Sequence, residues 1–356
     1  MKNPILVPLD GSALSERAVP YGAWLGLATG APLLLVSAIA CPDDRVSLQA
    51  AEAGLAGLAE MLSAEGLDVE TLVGVGDASR IIREAAQRDD ASAIVMSTHG
   101  KGGPGRWLMG AVADQVLRRA EVPVFLIPGN TVAPWPADHP LRILVPLDGS
   151  PFAEAVLDPL CELTERPDAE ILLLRVVEKR AKPRGWELIG DSLYEARDYL
   201  DFIAESLRDL GRRVSTLVVS GDAAPTISTV AREREVDLIA MTTHGRSSVA
   251  RLIMGSVASG TITRARVPVL VVRPPILDRA ITLCEIADRP DDRVPVPTAS
   301  VPLSLAELDL VLRGLGTLVY EPGQDDQVVE SSWDLLSRLK PLEAALYDDR
   351  PLEAVR

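Results

Sequence analysis

Short, largely apolar runs alternate along this chain with longer stretches whose apolar residues recur every three or four positions. The runs Ile5–Leu9, Leu33–Ile39, Val69–Val75, Ala93–Ser97 and Val122–Ile127 predict five strands. A second series, Ile143–Leu147, Ile171–Val177, Val214–Val219, Leu238–Thr242 and Val267–Val272, predicts five more. Strands apolar on both pleat faces are expected where helices cover both sides of a parallel sheet, and strand–helix alternation is the βαβ pattern. Helix starts follow the strands. Ser150-Pro151 reads as an N-cap with proline at the first helical position, and Gly76-Asp77 and Gly221-Asp222 as a turn glycine before a capping aspartate.

The two series are copies of one another. ILVPLDGS stands at residues 5–12 and again at 143–150. Ser97-Thr98-His99-Gly100 is matched by Thr242-Thr243-His244-Gly245, Leu108-Met109-Gly110 by Ile253-Met254-Gly255, and Val122-Pro123-Val124 by Val267-Pro268-Val269. Asp10 to Asp148 is an offset of 138 and His99 to His244 one of 145, so the second copy has gained seven residues, placed around Lys179–Asp191. Self-similarity at this spacing is a tandem duplication. The boundaries expected are a first domain at 1–129, a Pro-rich linker at 130–139, a second domain at 140–274 and a C-terminal extension at 275–356. In the extension, Arg289–Pro302 reads as extended, while Leu303–Leu315 and Ser331–Leu346 have helical spacing.

One stretch, Ala18–Pro42, has no charged residue and is long enough to span a bilayer. Pro20, Gly22, Gly26, Gly30 and Pro32 interrupt it, and the aligned segment of the second copy (CELTERPDAEILLLRVV) is charged. It is therefore expected to be a helix and a buried strand, and the protein cytoplasmic with no membrane partner. Of 356 residues, 47% are apolar, ample for packed cores. With 36 Lys+Arg against 51 Asp+Glu the net charge is −15, which argues against nucleic acid as a partner. Cys41, Cys161 and Cys284 lie far apart, and His99, His139 and His244 are the only histidines, so neither a disulfide framework nor a transition-metal site is expected.

In an open parallel sheet, ligands bind outside the carboxyl ends of the strands where strand order reverses. Asp148 follows the first strand of the second copy and His244-Gly245 its fourth. Gly255-Ser256 then opens an apolar-periodic helix, and free helix-start amides beside a glycine and a hydroxyl suit a phosphate. The pattern is neither a Walker A loop nor a Rossmann fingerprint, because the glycines follow the fourth strand.

With these residues in place the chain resembles the universal stress proteins, in a tandem form, over residues 3–129 and 140–274. The resemblance implies two flavodoxin-like α/β domains, each a five-stranded parallel sheet of order 3-2-1-4-5 with helices on both faces, plus a small, partly helical appendage. ATP-binding members of that family carry G-x2-G-x9-G-[S/T] and an aspartate after strand one. The second copy reads Thr242-x2-Gly245-x9-Gly255-Ser256 and the first Ser97-x2-Gly100-x9-Gly110-Ala111. By resemblance, Pro146 and Asp148 contact the nucleoside, Val176 and Met241 border adenine, and Gly245, Gly255, Ser256 and Val257 hold the phosphates; Thr242, in place of the first motif glycine, His244 as a contact and Arg246 as a nearby cation complete the nucleotide-binding set. The corresponding first-copy set is Asp10, Ala38, Met96, Gly100, Gly110 and Val112, without the phosphate hydroxyl. A lost hydrogen bond to a charged group costs roughly 1.5–3 kcal/mol, so the second copy is expected to be the better site. The cofactor implied is ATP, with or without Mg2+. The family pairs through its last strands, which implies a pseudo-dimer of the two copies within one chain and leaves a homodimer open.

Simpler roles exist for several of these residues. Asp10 and Asp148 also fit turn carboxylates that cap the following helix. Lys101 and Arg246 fit solvated cations, and Gly102, Gly103 and Gly105 a surface loop. Three functions therefore stand side by side: a nucleotide-binding stress or regulatory module, a slow ATPase, and a nucleotide-free scaffold for protein association. No water-positioning carboxylate is visible beyond Asp148, so at most slow hydrolysis is expected.

Overall fold

The computed structural model describes residues 2–41, 43–98, 109–131, 135, 140–164, 169–177, 193–243, 254–273, 281–282 and 302–303. The first repeat runs β1 (Ile5–Pro8), α1 (Val19–Thr29), β2 (Leu33–Ile39), α2 (Arg45–Ala64), β3 (Val69–Val75), α3 (Ala78–Arg88), β4 (Ala93–Ser97), α4 (Ala111–Arg119) and β5 (Val124–Ile127). The second runs β6 (Arg142–Pro146), α5 (Pro151–Glu154), α6 (Leu157–Leu163), β7 (Glu170–Val177), α7 (Leu193–Asp209), β8 (Arg213–Ser220), α8 (Ala223–Glu233), β9 (Leu238–Thr242), α9 (Ser256–Arg264) and β10 (Val269–Val272). All ten strands join one sheet, β3-β2-β1-β4-β5-β10-β9-β6-β7-β8. Each half has the expected order 3-2-1-4-5 with parallel neighbours. The halves meet where β10 pairs antiparallel with β5, Leu270 opposite Phe125.

The apolar runs fill two cores. On one face α1, α2, α6 and α7 pack through Leu25, Leu62, Leu160 and Leu200 against alternate strand residues such as Val7 and Val145. On the other face α3, α4, α8 and α9 pack through Ile82, Val116, Ile227 and Ile262 against Leu6, Ile94, Leu144 and Ile239. Each core extends across both repeats, so the inner strands are buried on both faces, while the edge strands β3 and β8 keep polar and exposed residues such as Glu70 and Arg213.

The uncharged stretch forms α1 and β2, as its charged counterpart predicts. Gly22 and Gly26 let α1 lie close on the sheet, since a Cβ would fall 2.7 Å from Val7 and 2.9 Å from Leu67. No helix among the described residues is long and apolar enough to cross a membrane. The segment between the repeats is more than a spacer. Trp135 is 5% exposed and stacks edge-on against Tyr21, Trp24 and Phe125, with centroids 5.1, 4.9 and 5.7 Å away.

Two local expectations fail. Asp222 occupies the N-cap position of α8, yet its side chain makes no capping hydrogen bond, whereas Asp77 caps α3 by accepting from the Arg80 amide at 2.8 Å. Residues 275–356 form a separate compact unit, in which β11 (Ile281–Thr282) pairs antiparallel with β12 (Pro302–Leu303). Leu303, expected to begin a helical stretch, instead ends this strand. The rest of that stretch, Ser331–Leu346, the seven-residue insertion and Cys284 lie outside the described residues.

Candidate functional site

The crevice begins where two neighbouring strands part. β6 and β9 are in register at Ile143–Leu238 and Leu144–Ile239 only, although both continue, to Pro146 and Thr242. The first repeat repeats this: β1 and β4 pair at Ile5–Ala93 and Leu6–Ile94 and then separate. β6 leans instead toward β7, where Leu147 N–H donates to the Leu174 carbonyl at 2.8 Å. β9 leans toward β10, where Thr243 N–H donates to the Val272 carbonyl at 2.9 Å. The carboxyl ends of the two central strands are thereby spread apart.

Asp148 stands on one lip. Its Oδ1 accepts from the Ser150 amide at 3.0 Å and the Ser150 hydroxyl at 2.5 Å, while Ser150 Oγ in turn accepts from the Ala153 amide at 3.2 Å and caps α5. Asp10 makes the same turn, its Oδ1 accepting from the Ser12 amide at 2.9 Å and hydroxyl at 2.6 Å. Gly149 and Gly11 sit at φ 76° and 73°, a left-handed conformation that glycine adopts without strain. The turn role of both aspartates is thus real, and it fixes where each carboxylate stands, half-buried at the strand end.

The opposite lip is a helix start. Gly255 N–H donates to the Thr243 carbonyl at 2.9 Å, which draws the beginning of α9 back to the end of β9. Among the described residues no side-chain cap is found at Gly255, and the Ser256 hydroxyl is on the exposed first residue. Uncapped helix-start amides carry partial positive charge and favour an anion. In the first repeat Gly110 N–H donates to the Thr98 carbonyl at 2.7 Å and α4 begins at Ala111, again with no side-chain cap among the described residues and without the hydroxyl.

The ends of the neighbouring strands carry apolar residues that pack into the core. Met241 is 6% exposed and packs in one core with half-buried Val176, Met254 and Val257, while Thr242 is buried at the end of β9. Met96 and the half-buried Ala38 take the same places in the first repeat, and Val112 is exposed on the first turn of α4. Pro146 is half-buried as the last residue of β6. The structure thus places Pro146 and Asp148 at and just past the end of β6, Met241 and Thr242 at the end of its neighbour β9, and Gly255, Ser256 and Val257 at the start of α9, with Val176, Met241 and Val257 in one hydrophobic cluster. His244, Gly245 and Arg246, with Gly100, Lys101 and the glycines at 102, 103 and 105, lie outside the described residues.

Sequence reasoning overlooked a polar group under Asp148. Arg175 is 4% exposed on β7 and donates to the Leu147 carbonyl at 3.4 Å. Tyr199 on α7 donates its hydroxyl to Glu154 Oε1 at 2.8 Å. Burial pushes the Glu154 carboxyl up, against the pull of the Tyr199 hydrogen bond and with help from the Asp148 charge. One signal was in the chain: an arginine inside the otherwise apolar run of Ile171–Val177.

The comparisons agree with this architecture. The profile of the Universal stress protein family matches residues 1–128 and 141–273. A universal stress protein of Mycolicibacterium smegmatis is 26% identical over 298 residues, covering 76% of this chain and 97% of its own. One from Methanocaldococcus jannaschii is 30% identical over 140 residues, 38% of this chain and 82% of its own. The crystal structure of a universal stress protein from Archaeoglobus fulgidus shares the fold, with a TM-score of 0.61 at 24% identity over 77% of this chain and 99% of that one. Matched twice by the same family profile, on two halves joined in one sheet, this chain belongs to the universal stress protein family.

Proposed function

We propose that the protein binds an adenine nucleotide, in a stress-response or regulatory role, chiefly in the crevice of its second repeat. The observation that carries this reading is that the Asp148 turn follows β6 and the start of α9 follows β9, neighbouring strands whose pairing stops short of their carboxyl ends. In this reading Asp148 and Pro146 hold the nucleoside, Val176 and Met241 flank the base, and Gly255, Ser256 and Val257 take the phosphates together with Thr242, His244, Gly245 and Arg246. The donor set suits a polyphosphate: helix-start amides and a hydroxyl, in a chain whose net charge of −15 would otherwise repel it. A Mg2+ ion would arrive with the phosphates. Asp10, Ala38, Met96, Gly100, Gly110 and Val112 form a weaker counterpart. The protein acts as a binder, with hydrolysis slow or absent.

The domains proposed are 1–129 and 140–274, joined by 130–139 and followed by 275–356. The β5–β10 ladder supports reading the two as a pseudo-dimer inside one chain, which covers two sheet edges that would otherwise be open.

Native mass spectrometry of the purified protein should find adenine nucleotide bound, and titration calorimetry with ATP should give one dominant site. Ser256→Ala and Asp148→Ala should each weaken it. Absence of any ATP uptake would instead favour a nucleotide-free scaffold.

A further inference from the structure

We infer that Arg175 is a positioning residue of the second repeat: it fixes the strand end that carries Asp148, braced by the Tyr199–Glu154 hydrogen bond, and thereby makes that repeat the one that recognises the nucleoside. This inference rests on the nucleotide reading above.

Both backbone polar groups of Leu147, the residue before Asp148, are held by consecutive residues of β7. Its N–H donates to the Leu174 carbonyl at 2.8 Å and its carbonyl accepts from Arg175 at 3.4 Å. A guanidinium this deeply buried is costly unless carboxylates and acceptors surround it. Tyr199 lies within electrostatic reach of Asp148, Glu154 and Arg175 together, and burial, with the two carboxylates, holds its phenol far above the ordinary tyrosine range. These four side chains therefore form one cluster beneath the Asp148 turn, on the side of α5 and α7.

The duplication supplies the control. In the first repeat Leu9 N–H donates to the Val36 carbonyl at 2.7 Å, so the first of the two holds is kept. Ser37 stands where Arg175 does, one residue after the strand partner, and its hydroxyl ends one bond beyond Cβ. Gly54 stands in the place of Tyr199, each fifteen residues before the aligned Val69 and Val214. Glu16, six residues after Asp10 as Glu154 is after Asp148, is exposed. The same turn is thus built twice but held differently: in the first repeat the Asp10 amide donates to the buried Ser15 hydroxyl at 3.2 Å, whereas in the repeat that also keeps the phosphate hydroxyl Arg175 holds the strand end from below.

The test is calorimetry of the full chain with ATP, with adenosine, and with inorganic tripolyphosphate. Arg175→Met keeps the volume without the charge, a replacement that buried ion clusters often tolerate. It should weaken ATP and adenosine by roughly ten- to a hundredfold and leave tripolyphosphate unchanged, because the helix-start lip is untouched. Arg175→Lys, which can still donate to the Leu147 carbonyl, should recover most of the loss. Tyr199→Phe should weaken adenosine by a smaller factor, again without affecting tripolyphosphate, and it decides the matter if the methionine variant does not fold. Adenosine bound equally by the unmodified protein, Arg175→Met and Tyr199→Phe overturns the inference while sparing the nucleotide reading. Loss of tripolyphosphate in parallel with adenosine also overturns it, since that marks general damage. An unmodified protein that binds none of the three ligands overturns both.

Discussion

The indole N–H of Trp135 donates to the backbone carbonyl of Asp237 at 3.1 Å. Asp237 is already a junction, its amide donating to the Arg142 carbonyl and its carboxylate accepting from the Arg142 amide, both at 2.8 Å. The ring of Trp135 meanwhile packs on Tyr21, Trp24 and Phe125 of the first repeat. One side chain from between the repeats therefore holds both. Trp135→Ala should cost about 3–5 kcal/mol in chemical denaturation, as large aromatic truncations in cores do. Trp135→Phe, which keeps a ring but loses the donor, should cost nearer 1 kcal/mol. An alanine variant as stable as the parent would show that the repeats do not depend on this contact.

The strands and the duplication were legible because burial on both faces of the inner strands leaves a largely apolar record, written twice. Every predicted strand was found, with ends moved by at most two residues, as at Val122, which lies before β5. The crevice was legible only in part. Asp148 and Gly255 are named by their local turn and helix chemistry, but the bond from Gly255 to Thr243 joins residues across a loop, and periodicity says nothing of it. Asp222 shows the converse limit: the residue type and its position both suit a cap, yet its side chain makes no capping hydrogen bond. Trp135 was hidden by its neighbours, since a Pro-rich setting signals a linker while one aromatic in it is what anchors.

Glycine at the Asp-Gly-Ser turns gives a paired prediction. Gly149→Ala and Gly11→Ala each force a side chain into a left-handed conformation, at about 1–2 kcal/mol. Their stability losses should match, because the turns match. Their effects on ATP should not: the substitution at Gly149 should weaken the dominant site, and that at Gly11 should leave it intact. Equal ATP losses would mean that the two crevices contribute equally.

The phosphate lip offers a gain as well as a loss. Ser256→Ala should weaken ATP by roughly ten- to a hundredfold, the value of one hydrogen bond to a charged group. Ala111 is the exposed first residue of α4, so Ala111→Ser adds the missing hydroxyl without disturbing a core. Calorimetry should then resolve a second, weaker site. If the added serine changes neither stoichiometry nor affinity, the first crevice lacks more than that hydroxyl.

The aromatic anchor also predicts behaviour in alkali. Tyr21 is 3% exposed against Trp135, and burial raises its phenol from 10.0 to about 12, with Arg17 pulling the other way. The raised group is neutral in the fold, so its contribution is complete below pH 10, where the unfolded chain also keeps the proton. Between pH 10 and 12 the unfolded phenol ionises while the folded one does not, and stability falls, by roughly 3 kcal/mol in total for this residue. Tyr199 is raised for the same first cause and adds a decline of the same sign. Denaturation midpoints measured across that window should therefore drop less steeply in Tyr21→Phe than in the parent. The tyrosinate absorbance lost from the native spectrum of that variant should be the component titrating near pH 12. A parent whose tyrosines all titrate near pH 10 while still folded would contradict the burial of Tyr21 and, with it, the anchoring of Trp135.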